Sequence, residues 1–307
     1  MEIKKEPKEG RELASYDSVI AHQAQMDSLA YDVISNFNEA AELRGLDRQQ
    51  VFQTAYQAVS KDYFAKASER SQTYFLSLDN KKAIFLNNDD FVTFTNAYSS
   101  EINMQSSYAM TLRKGLILFN QELITNEVAD PKLLKIYQLI KREKFNLPDD
   151  QSKMIEFLAN FIPFHERMAD ESLDNILLQK EAIGEDLTVE MLENTLWSVV
   201  YHECLHVLSS SNFFLENLDE AATYYHTALA TYQEKGASAF GISLILAGTD
   251  ESIAWINFLR DFNIEPQQAE EMYFNQTGQW TAENILALFP NKQQALSRII
   301  KVSGFSS

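Results

Sequence analysis

Thirteen consecutive residues, Leu196 to Leu208, constrain this chain more than any other stretch: LWSVVYHECLHVL. All but His202, Glu203 and His206 are apolar, aromatic or small. A helix that is apolar on nearly every side is a buried one. Buried ionisable groups are costly unless they are paired or bind a metal. At about 100° per residue, His202 and His206 share one helical face, one turn apart. Two imidazoles so placed reach a single Zn²⁺ at roughly 2.0–2.1 Å. Glu203 falls on the flank of that face, placed to accept a proton from a metal-bound water rather than to fill a coordination position. The chain has five histidines in 307 residues, so composition does not account for a second one at i+4. The bland alternative is a buried helix whose histidines are satisfied by hydrogen bonds.

Zinc chemistry needs a third ligand. Ser209-Ser210-Ser211-Asn212 should end the helix, and a new helical pattern begins near Asn217, in NLDEAATYYHTALATYQ. Glu220 lies in its first turn, with thirteen residues between it and His206. A short reversal and an antiparallel helix bring that turn back towards the histidines. The Glu220 carboxylate then completes a His₂Glu site with a fourth position left for water. Two alternatives stand beside this. Asp219 is a rival ligand from the same turn, and Asn217 with Glu220 is nearly a capping box, in which Glu220 serves only its own helix.

HECLH followed by LDEAATYY resembles the gluzincin metallopeptidases, over roughly residues 196–230. These carry H-E-x-x-H and then a downstream helix with a ligand glutamate, which in the aminopeptidase branch reads like L-N-E-G-x-x-x-Y. Here Asp219-Glu220-Ala221 stands for N-E-G, and Tyr224-Tyr225 covers the aromatic position. The spacing from His206 to Glu220 is shorter than in that branch, Ala221 replaces glycine, and that branch's substrate-amine motif is absent. Aminopeptidase activity is therefore not implied. The resemblance implies one Zn²⁺ per chain on His202, His206 and Glu220, with Glu203 as general base. The activity to expect is a zinc-dependent peptidase acting on a peptide or protein substrate through a water activated by Glu203. Tyr224, Tyr225, His226 and Tyr273 are candidates to stabilise the oxyanion, Tyr224 first because it lies at i+4 from Glu220. The rivals are a zincin-fold binding or regulatory protein with structural zinc, and a protease with a single protein target, as in a toxin or effector.

Charge narrows the partners. A net charge of −18 disfavours a nucleic-acid backbone or an anionic membrane surface. No run reaches the roughly 18 apolar residues of a membrane span. The start of the chain, MEIKKEPKEGRELAS, is charged and has no apolar core of a secretory signal. The single cysteine, Cys204, permits no intramolecular disulfide. It lies off the histidine face and reads as a small buried hydrophobe. Cytoplasmic location is the default expectation, with export by a route lacking a classical signal as the alternative.

The rest of the chain reads as mainly α with one small β-sheet, a zincin-like arrangement of two lobes around the motif helix. Residues 1–14 read as a flexible tail. Residues 15–130 hold helical segments and the sheet, and residues 131–307 form a helical catalytic region, the two together making one compact unit. Helical patterning runs from Tyr16 to about Phe64, broken at Gly45, with His22 on the surface. TYFLSLD, KKAIFLNN and FVTFT are aromatic and branched runs that read as strands, as does Leu116–Phe119. Asp79-Asn80-Lys81-Lys82 reads as a hairpin connection and Asn87-Asn88-Asp89-Asp90 as a turn. Helices are expected again from Pro131, in MIEFLANFIPF up to Pro163, from near Thr188, and in GISLILAGTDESIAWINFLRDF and WTAENILALF. The pair His165-Glu166 lacks a histidine at +4 and is read as incidental. In zincin-like proteins a small sheet roofs the active-site helix, and its edge strand aligns extended substrate. The resemblance implies that role here.

Overall fold

The computed structural model describes residues 39–43, 45–78, 83–98, 107–112, 116–143, 185–209, 216–247, 249–261 and 264–274. In chain order the elements are α1 (Arg48–Tyr63) with a 3₁₀ turn at Phe64–Lys66, α2 (Glu69–Ser77), β1 (Ala83–Leu86), α3 (Asn88–Tyr98), β2 (Ala109–Leu112) and β3 (Leu116–Asn120). Then follow α4 (Gln121–Val128), α5 (Pro131–Glu143), α6 (Glu185–Leu208), α7 (Glu216–Lys235), α8 (Ala237–Ala247), α9 (Thr249–Asp261) and α10 (Pro266–Phe274). The fold is mainly helical with one small sheet, as the sequence predicts. The tail, His22, the hairpin connection at 79–82, MIEFLANFIPF, His165-Glu166 and WTAENILALF lie outside the described residues.

Two of the four expected strands are helices. Residues 73–77 of TYFLSLD belong to α2, whose N-cap Ser68 accepts the Ser71 N–H at 3.2 Å. Ser71 and Phe75 are its buried residues, one turn apart, while Leu76 faces solvent. FVTFT lies within α3, which begins where the sequence suggests a turn. Asp89 and Asp90 occupy the first turn of α3, where acidic side chains favour the helix dipole. Phe91, Phe94 and Thr95 are buried at i, i+3 and i+4, the helical spacing rather than alternation. The other two strands are present: β1 takes the apolar centre of KKAIFLNN, and β3 covers Leu116–Phe119 and extends to Asn120.

The sheet order is β1-β3-β2, with β3 parallel to β1 and antiparallel to β2. All five residues of the central strand are buried. They divide by parity, as successive strand side chains point to opposite faces. Ile117 and Phe119 join Ala83, Phe85 and Ala109 in the main core, whereas Leu116 and Leu118 pack with Leu86, Phe91 and Phe94 under α3. Phe85 stacks on Phe119 across the parallel pair, with ring centroids 4.8 Å apart. One face of the sheet thus covers the main core and the other is covered by α3. β1 and β2 are its two edge strands.

Helix α6 starts at Glu185, one turn earlier than the sequence suggests, and runs for 24 residues. It packs against α1, α2, α4, α5, α7, α8 and β2. That explains why its apolar residues surround the axis: Met191, Leu196, Val200, Tyr201, Cys204, Leu205 and Leu208 are all buried. Helix α7 returns alongside α6 and ends at Gly236, whose φ of +87° is the left-handed conformation that stops a helix.

Candidate metal centre

The α6–α7 pairing delivers four polar side chains to one place. His202 and His206, one turn apart, point their Nε2 atoms at each other across 3.0 Å. The first turn of α7 brings Glu220 against both. Its Oε1 is 3.2 Å from His206 Nε2 and its Oε2 is 3.4 Å from His202 Nε2. Tetrahedral donors about 2.0–2.1 Å from one ion stand roughly 3.3 Å apart, so the two nitrogens and the Glu220 carboxylate, with one oxygen against each imidazole, form a triangle on the scale of a metal site. One ligand atom from each of His202, His206 and Glu220 lies within 4.8 Å of the other two, and no other such cluster occurs among the described residues. The group can hold a metal ion.

Asp219, the rival ligand, lies on the other side of His206. Its Oδ2 is 3.0 Å from His206 Nδ1, the ring nitrogen that faces away from Glu220. A carboxylate there fixes the tautomer and orientation of a ligating imidazole. Burial alone would lower the His206 pKa, but the Glu220 and Asp219 carboxylates carry it well above the ordinary imidazole value. Glu220 shifts the other way: burial would raise it, and the two imidazoles hold it well below the usual carboxylate range. Its side chain is still 43% exposed, so solvent screens much of that attraction. His202 Nδ1 is buried without a hydrogen-bond partner among the described residues.

Glu203 points off the histidine face, as the helical period requires, and is 7% exposed. The Thr111 hydroxyl on β2 donates to its Oε2 and lies 3.4 Å from its backbone carbonyl. Ala109 and Thr111 share a strand face, and Ala109 belongs to the main core, so Thr111 is directed at α6 by strand parity. Neither β2 nor Thr111 stands out in the sequence. A four-residue strand carries too little alternation to register, and no local motif announces the contact.

The remaining candidates separate by environment. Tyr224 lies against His202, with ring centroids 4.3 Å apart. Tyr225 is buried on the same helix. His226 is buried too, with Nδ1 3.2 Å from the Tyr63 hydroxyl, and burial, helped by Lys66, pushes its pKa down to about 3. Tyr273 is fully buried and its hydroxyl is 2.6 Å from Thr223 Oγ1. Cys204 is fully buried beside Glu203, and desolvation pushes its thiol pKa up, which keeps it a neutral thiol. No helix among the described residues is long and apolar enough to cross a membrane. No protein-family model, curated protein or solved structure matches the chain.

Proposed function

We propose that the protein is a zinc-dependent peptidase of gluzincin type, with His202, His206 and Glu220 as ligands and Glu203 as general base. The observation that carries this reading is the convergence of the three donor atoms beside a buried carboxylate that is not one of them. A purely structural site has no use for that fourth group. Zn²⁺ bound there would polarise a carbonyl and lower the pKa of a bound water towards about 7.

The chain's own residues do the rest. Thr111 holds Oε2 of Glu203, which leaves Oε1 to take the proton of the attacking water and pass it to the leaving amine. Asp219 keeps His206 in the orientation that presents Nε2. β2 is an edge strand and carries Thr111, so an extended peptide added to that edge would run past Glu203. Tyr224, packed on His202, is the nearest candidate to donate to a developing oxyanion.

The test is a peptide-library digest by zinc-loaded wild type and Glu203→Gln. The substitution keeps shape and hydrogen-bonding capacity but removes the base. Cleavage by the wild type and a slowing of roughly 10²–10⁴-fold in the variant, at equal zinc content, support the reading. Undiminished turnover by the variant would sink the mechanism. A wild type that binds zinc and cleaves nothing in a broad library would favour a binding protein or a single-target protease.

A further inference from the structure

A connected set of buried hydroxyls reaches the candidate centre from α10, at the far end of the described chain. It begins at Asp219. One of its carboxylate oxygens, Oδ2, meets His206 Nδ1, and the other, Oδ1, is buried with no hydrogen-bond partner among the described residues. A carboxylate held by one hydrogen bond takes its position largely from its own backbone. That backbone is held in turn. The Thr223 hydroxyl donates to the Asp219 carbonyl at 2.7 Å. A helical threonine bonding back to i−4 is ordinary. The second bond to the same hydroxyl is not local: Tyr273 Oη lies 2.6 Å from Thr223 Oγ1.

The direction of that bond follows from proton counting. Thr223 has one hydroxyl proton and a carbonyl only accepts, so that proton lies on the Asp219 carbonyl. Tyr273 must therefore be the donor to Thr223. Both side chains are fully buried, where water does not compete for these bonds. The Tyr273 ring is itself fixed against His226 and Phe274, at centroid distances of 5.4 and 4.8 Å.

We propose that Tyr273 and Thr223 are positioning residues of the metal centre, a brace from α10 that holds the first turn of α7 where Asp219 can orient His206. The proposal rests on the metal-binding reading of His202, His206 and Glu220. It makes α10 part of the site, through Thr223 and the Asp219 backbone.

The test is competition for Zn²⁺ between the metal-free full chain and a chromophoric chelator. The proteins compared are the wild type, Tyr273→Phe, Thr223→Val, Thr223→Ser, Asp219→Ala and the Tyr273→Phe/Asp219→Ala double variant. Far-ultraviolet circular dichroism and thermal melting of the metal-free forms report the fold. Asp219→Ala should weaken zinc binding about 10–100-fold, the scale of an outer-shell loss. Tyr273→Phe and Thr223→Val should each weaken it about three- to ten-fold, the scale of one neutral hydrogen bond. Thr223→Ser keeps the hydroxyl and should bind like the wild type. In the double variant, Tyr273→Phe should add nothing to the loss from Asp219→Ala, because both act along one path. If Tyr273→Phe unfolds the chain, the Thr223→Val and Thr223→Ser pair decides. Wild-type zinc affinity in folded Tyr273→Phe or Thr223→Val, or full additivity in the double variant, would overturn the brace while leaving the metal site standing. A wild type that takes up no zinc would overturn both.

Discussion

One turn of α7 delivers two neighbouring carboxylates to opposite nitrogens of the same imidazole, Glu220 to Nε2 and Asp219 to Nδ1 of His206. Because the two positions differ, so do the expected consequences of losing each charge. Glu220→Gln replaces a charged donor of the triangle by a neutral amide, a far weaker ligand, and should weaken zinc retention markedly on dialysis. Asp219→Asn leaves the triangle complete and should weaken retention by the smaller, outer-shell factor of about 10–100. Equal loss in both variants would contradict the division of roles. His226 offers a test of a different kind. Its folded pKa of about 3 lies below the roughly 6.5 of an unfolded histidine. Between those values the unfolded chain binds a proton that the folded chain does not. The stability held by neutral His226 is therefore complete above the unfolded pKa and is lost progressively as pH falls towards 3. Urea denaturation between pH 7.5 and 5 should show His226→Phe losing less stability with acid than the wild type. The difference in slope should approach about 1.4 kcal/mol per pH unit at most. Identical slopes would place the proton uptake elsewhere. At this scale the His202–His206–Glu220 cluster was legible because two spacings, i+4 within one helix and a short reversal to the next, are nearly all it needs. The outer contacts of Asp219 and Thr111 were not, since each depends on where a second element comes to rest.

Among the elements, the long helices were readable because period and length agree over many residues, as in α1, α6 and α7. Residues 69–98 were harder. Phe, Tyr, Val and Thr in short runs favour strands, yet α3 buries Phe91, Phe94 and Thr95 at i, i+3 and i+4 and α2 buries Ser71 and Phe75 one turn apart, and packing decides when runs are this brief. The same logic shows what α3 contributes. Phe91 and Phe94 cover the outer face of the sheet, and the sheet places Thr111 beside Glu203. Phe94→Ala should therefore destabilise by about 3–5 kcal/mol in chemical denaturation, as large-to-small changes of buried phenylalanine do. A change below about 1 kcal/mol would mean that α3 does not cover the sheet as described. The end of α7 is set by the chain itself. Gly236 has φ +87° with open space around it, so Gly236→Ala meets no clash and pays only for the left-handed backbone, roughly 1 kcal/mol.

For the molecule as a whole, the site is assembled from β2, α6, α7 and, through the brace, α10. These elements share one continuous core, whose members run from Leu46 to Phe274. A ligand that binds only this assembly must stabilise all of it. At a free zinc concentration 100 times the dissociation constant, the gain is about 2.7 kcal/mol. The most direct measurement is zinc content and thermal melting of the full chain, before and after a chelator, for wild type and for His202→Ala and His206→Ala. The wild type should hold about one Zn²⁺ per chain, and its melting temperature should fall when zinc is removed and return when it is restored. Neither variant should retain zinc or show a zinc-dependent shift. A wild type that melts identically with and without zinc and retains none, or variants that hold zinc as the wild type does, would rule out a metal centre on these residues.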